Sequence, residues 1–116
     1  LEAAWAGLPL RGVVAFHASL TTPRPEDAAG VKSSILVCHG ADDALVSSEA
    51  IAAFQSAMRE HGYDWEFDSY GGAVHSFTNP DADEMGKKFN MPIAYNAAAD
   101  HKSWSELQTF LKEVFK

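Results

Sequence analysis

Two short stretches carry residues whose types and spacing suit proton-transfer chemistry. "GGAVHSFTNP", residues 71–80, places His75 behind two glycines and ahead of a Thr-Asn-Pro turn. "HGADDALV", residues 39–46, places Asp42 and Asp43 just after a glycine that permits a tight turn. A carboxylate beside an imidazole fixes the ring tautomer and stabilises the imidazolium formed when the ring accepts a proton. An aspartate of this turn and His75 would supply two-thirds of a nucleophile–histidine–acid triad, in the chain order acid then histidine. Both aspartates are also good turn-forming and helix-capping residues.

The elements around these stretches determine whether they meet. Residues 1–7 (LEAAWAG) read as the end of a helix closed by Gly7. Residues 12–16 (GVVAF) and 34–38 (SILVC) are continuous apolar runs, the pattern of strands buried on both faces. Residues 64–69 (DWEFDS) alternate, with Trp65 and Phe67 on one face, and read as a third strand. Between them lies a helix opened by Ser47 or Ser48 and closed by Gly62, with an apolar stripe of Ile51, Phe54 and Met58. Residues 71–95 read as loop. A last helix spans about 97–115, with Trp104, Leu107, Leu111 and Val114 as its apolar face. Strands separated by helices or long connections imply a parallel sheet with helices on both faces. In such sheets the functional crevice lies beyond the carboxyl ends of the strands. Each predicted strand has a histidine near that end: His17, His39 and His75.

The bulk properties exclude several classes. The 116 residues suffice for one small domain, and 47% hydrophobic with 22% charged content is ordinary globular composition. A formal net charge of −7 without a Lys/Arg cluster argues against nucleic acid and anionic membranes as partners. No apolar run approaches the roughly 18–20 residues of a membrane span. The single cysteine, Cys38, rules out an internal disulfide and makes the cytoplasm the default location. Cys38 lies in an apolar strand, where burial is expected rather than nucleophilic reactivity. His17, His39, Asp43 and His75 would be chemically competent to bind zinc if they converged, but no short-range ligand spacing supports a metal site. Strand-end histidines also serve as hydrogen-bonding linkers. His61 at a helix end and His101 on the last helix read as structural and solvated.

The chain resembles the C-terminal half of the dienelactone hydrolase family, part of the α/β-hydrolase superfamily. The matching stretches are "LRGVVAFHASL", "ILVCHGADDALV", "AIAAFQSAMREHGYDWEFDSYGGAVHSFTNP" and "YNAAADHKSW", nearly the whole chain. The pattern Gly40-x-x-Asp43-x-x-Val46 is similar to the family's acid turn, which favours Asp43 over Asp42. The "GGAVHSFTNP" stretch is similar to its histidine loop, which makes His75 the general base. The resemblance implies hydrolysis of a small-molecule ester or lactone without a cofactor, and a three-stranded parallel sheet flanked by helices. Residues 1–116 are then a single partial domain. The family's nucleophile elbow, of G-x-C-x-G type, does not occur in these residues, and it is expected about two helical turns upstream of Leu1. The oxyanion-hole amides are expected there too. The competing expectation is a non-catalytic truncated module that persists as an oligomer or binds a partner. Three parallel strands leave an apolar edge, expected at residues 12–16, which is a template for a homo-oligomer.

Overall fold

A computed structural model describes residues 1–116. Its elements run α1 (Glu2–Trp5), β1 (Gly12–Phe16), a 3-10 turn (Ala28–Gly30), β2 (Ser34–Gly40), α2 (Ser48–His61), β3 (Trp65–Tyr70), α3 (Ala82–Phe89) and α4 (Ala97–Val114). The three strands form one parallel sheet in the order β1-β2-β3. The register pairs Phe16 with Cys38 and Cys38 with Asp68, so the carboxyl ends of all three strands lie together.

β2 is the central strand, and it divides the core into two layers. Ile35 and Val37 face α1 and α2, packed with Ala4, Trp5, Ala15, Phe54 and Met58. Leu36 and Cys38 face the other way, packed with Ala73, Phe77, Ala99 and Phe110. Alternation along one strand therefore builds both layers, as a sheet covered on two faces requires. Burial of Phe54 and Met58, both 0% exposed, contributes about 1.5–3 kcal/mol each. Ser47 caps α2, accepting from the Ala50 amide at 3.1 Å, and Gly62 ends it with φ +66. The long β1–β2 connection is tied down by bonds from Trp5 Nε1 to Thr21 Oγ1 (2.9 Å) and from the Tyr63 hydroxyl to the Ala28 carbonyl (2.6 Å). No helix is long and apolar enough to cross a membrane.

Three details differ from the sequence reading. β2 runs on to Gly40, so His39 is a strand residue, 2% exposed, and not a loop residue. Residues 71–95 contain a helix, α3. Its only buried positions are the small residues Ala82 and Gly86, which leave no apolar stripe to read. Gly86 is required there because a Cβ would meet the Ile93 carbonyl oxygen at 2.8 Å. On α4 the buried side chains are Ala99, Ser103 and Phe110, while Trp104 is 58% exposed. The helix is rotated toward its smaller residues because Phe110 packs directly on Gly12, where a Cβ would sit 2.8 Å from the ring. A helix that close to the sheet presents its small side chains, not a tryptophan.

Candidate active site

At the carboxyl end of β2 the chain turns sharply over residues 40–46. The Asp43 amide donates to the Gly40 carbonyl at 3.1 Å, and Asp43 Oδ1 accepts from the Leu45 amide at 2.9 Å. Gly40 has a steric reason to be glycine: a Cβ would lie 2.7 Å from the Ala73 oxygen and 2.8 Å from the Val74 oxygen. The loop after β3 thus passes directly over the end of β2. It is fastened there twice by Asp42, whose amide donates to the Ala73 carbonyl (2.9 Å) and whose Oδ2 accepts from the Gly72 amide (2.8 Å).

Fastening the loop delivers His75 to Asp43. His75 Nδ1 lies 2.8 Å from Asp43 Oδ2, with the Asp43 side chain fully buried and the His75 side chain 24% exposed. The two adjacent aspartates therefore divide the work: Asp42 holds the loop backbone and Asp43 holds the ring. The far side of the loop is pinned by Phe77, 0% exposed, and by backbone bonds from Ala94 to the His75 carbonyl and from Asn96 to the Phe77 carbonyl. With Nδ1 engaged by a carboxylate, the ring carries its proton on that nitrogen. Nε2 is left as the acceptor. A partly exposed imidazole with a buried carboxylate behind it is equipped to take and return one proton.

The other strand-end histidines lie nearby in different states. His17 Nε2 is 2.8 Å from Thr78 Oγ1 on the same loop. Burial, and then the neighbouring His75, hold the affinity of His17 for a proton below that of an ordinary histidine. His39 is shifted the same way by burial, lies tilted against Phe67, and leaves Nδ1 without a hydrogen-bond partner. The ligand atoms of these histidines and Asp43 do not form a convergent cluster. Convergence within 4.8 Å occurs instead at Glu66, Asp68 and Glu106, between β3 and α4. Glu66 and Asp68 alternate on one face of β3, a spacing visible in sequence, but their third member lies on a helix 38 residues beyond Asp68. Cys38 is fully buried, and burial pushes its thiol up to about 12. It is not an activated nucleophile.

The largest cavity, about 360 Å³, is at the opposite, amino end of the strands, lined by Ser34, Trp65 and Phe110 among others. It contains no histidine and no paired acid and base. The Asp43–His75 pair lies at the carboxyl ends instead.

The dienelactone hydrolase family profile matches residues 2–115. This chain belongs to the dienelactone hydrolase family. It is 36% identical over 110 residues to the uncharacterized protein K02A2.1 of Caenorhabditis elegans, an alignment that takes in 91% of this chain and 66% of that protein. It is 40% identical over 73 residues to the carboxylesterase SOBER1 of Arabidopsis thaliana, covering 63% of this chain and 31% of that one. Among solved structures, the dienelactone hydrolase-like promiscuous phosphotriesterase P91 from metagenomic libraries superposes with a TM-score of 0.90 and 40% identity, over 97% of this chain and 46% of that one. The dienelactone hydrolase member described here thus spans less than half the length of P91 and under two thirds of both curated relatives.

Proposed function

We propose that Asp43 and His75 are the acid and base of a nucleophile–histidine–acid site that hydrolyses carboxylic esters or lactones. The observation that carries the proposal is the 2.8 Å contact of His75 Nδ1 with the buried Asp43 carboxylate. His75 Nε2 takes the proton of the nucleophile as that atom attacks the ester carbonyl. It then returns the proton to the departing alkoxide, leaving an acyl-enzyme. A water molecule, deprotonated by the same nitrogen, releases the acid and restores the nucleophile. Asp43 stays ionised throughout and compensates the imidazolium charge. No side chain among these residues is suited to be the nucleophile, so in this reading it comes from the remainder of the family's domain, with the oxyanion amides. The carboxylesterase activity named for SOBER1 supports the ester class.

A chimera tests the proposal. Residues 1–116 replace the matching half of P91, and ester hydrolysis is assayed with p-nitrophenyl acetate. The chimera is expected to turn over, and His75→Ala within it to lose on the order of 10⁴–10⁶ in rate. A folded chimera indifferent to His75→Ala would refute the assignment. The 116-residue chain alone is expected to hydrolyse the ester no faster than its own His75→Ala variant.

A further inference from the structure

His17 takes no part in the scheme above, yet its position is held from several sides. Its amide donates to the Cys38 carbonyl at 2.9 Å, extending the β1–β2 ladder one residue past the strand. The backbone then turns left-handed, with φ +38 at a non-glycine residue. Such conformations cost roughly 1–3 kcal/mol and persist where surroundings enforce them. The ring meets the histidine loop at three residues. Nε2 is 2.8 Å from Thr78 Oγ1, and the ring stands edge-on to Phe77 (centroids 5.4 Å, 80°) and to His75 (5.6 Å, 69°). The loop leaves β3, crosses over Gly40 of β2, and ends against β1. His75 is thereby flanked by Asp43 of the β2 turn and His17 of the β1 terminus.

We propose that His17 is a positioning residue that, through Thr78 and its edge-on contact, holds the His75 imidazole in one orientation and one tautomer. The inference rests on the Asp43–His75 reading and adds a third member from a different strand. Edge-to-face packing is directional, and a fixed neighbour on one side restricts rotation of the ring on the other. A histidine suits this position because a neutral ring can accept from the Thr78 hydroxyl while remaining aromatic. Burial and the proximity of His75 disfavour charge on His17, so it does not compete for the proton. The titratable groups that act on it are His75 and, from the β2 turn, Asp43, and Asp100 of α4 lies beside its partner Thr78. Asp100 shares a notch with Phe16 and Thr78 and accepts from the Tyr95 hydroxyl at 2.7 Å. No carboxylate bonds the His17 ring, whereas His75 has Asp43.

Nitrogen-15 NMR of the histidine rings in the 116-residue chain tests this without activity. In the unsubstituted chain His75 is expected as a single Nδ1–H tautomer with a protected Nδ1 proton, both lost in Asp43→Ala. In His17→Ala and in Thr78→Val the His75 signal is expected to split between tautomers and the Nδ1 proton to exchange into water. His17→Gln, whose amide can still bond Thr78, is expected to restore part of the signal. Thr78→Val leaves β1 untouched and decides the matter should His17→Ala unfold. The His17 titration midpoint is expected to rise in His75→Gln, because the neighbouring imidazole no longer disfavours charge on His17. A His75 tautomer and Nδ1 proton unchanged in every folded variant would overturn the positioning role alone, as would an unmoved His17 midpoint. Absence of the Nδ1–H tautomer in the unsubstituted chain would overturn the Asp43–His75 reading and with it this inference.

Discussion

Replacing Gly40 with alanine tests how the site is built, because the glycine has no side chain to take part in chemistry and lets one loop cross another. The added Cβ would lie 2.7 Å from the Ala73 oxygen, against 3.4 Å or more in ordinary contact, so about 0.7 Å of movement is required. The obstructing atoms are backbone, at Ala73 and Val74, and cannot rotate away as a side chain end would. Overpacking of this kind costs about 1–3 kcal/mol. The same displacement acts on His75, one residue beyond Val74. A shift of 0.7 Å applied to a 2.8 Å bond reaches the 3.5 Å limit of hydrogen bonding to Asp43. Gly40→Ala is therefore expected to lower the urea midpoint and to remove the protected His75 Nδ1 proton from the NMR spectrum. The control is Gly71→Ala, where a Cβ would meet nothing within 4 Å and φ is not positive, so stability is expected to change by a few tenths of a kcal/mol at most. A Gly40→Ala protein with unchanged stability and an intact Nδ1 proton would refute the crossing argument.

Other expectations follow from the same structure. The carboxyls of Glu66 and Asp68 are held above their usual range, first by burial and then by acidic neighbours that include Glu106. A carboxyl whose folded value is raised stabilises fully below its unfolded value, and that contribution is lost as pH rises through the folded value. At neutral pH Glu106→Gln is thus expected to stabilise the chain by under about 1 kcal/mol, with the gain vanishing below about pH 4 in urea titrations; a loss at pH 7 would contradict it. Cys38, fully buried with its thiol raised to about 12, is expected to react with Ellman's reagent only at the rate of unfolding. Rapid labelling of the native chain would show the strand to be open. Ser47→Ala removes the α2 cap and is expected to destabilise by about 0.5–2 kcal/mol in urea unfolding; no loss would remove the cap from the account. β1 pairs on one side only and carries no charge along its length, so we propose that this edge pairs with a second copy. Sedimentation at micromolar concentration is expected to give a mass above 12.6 kDa, and a clean monomer would rule out use of this edge.

The sequence by itself determined the sheet and the two loops of the candidate site. GVVAF and SILVC are strands because continuous apolar runs of that length suit burial on both faces, and Ser47 and Gly62 bound α2 because caps are local chemistry. An aspartate of the turn and His75 were legible as a pair because both follow strands that are neighbours in the sheet, and the family resemblance pointed to Asp43. Turn chemistry left both aspartates open and the family resemblance favoured Asp43; the tertiary structure shows the physical reason that Asp43 takes the ring. Asp42 and Asp43 have the same chemistry one residue apart, and only the loop crossing at Gly40 turns one to the backbone and the other to the imidazole. It also decided the rotation of α4, since Trp104 and Ser103 offer adjacent stripes and the closeness of Phe110 to Gly12 selects the smaller. α3 carries no apolar period because its buried side is made of Ala82 and Gly86, chosen for closeness to neighbouring backbone. The contact of His17 with Thr78 spans 61 residues and joins the ends of β1 and β3, which both pair with β2 but not with each other. Periodicity reports what a residue's own element needs; a contact between loops of separate elements depends on how those elements pack, and no local pattern encodes it.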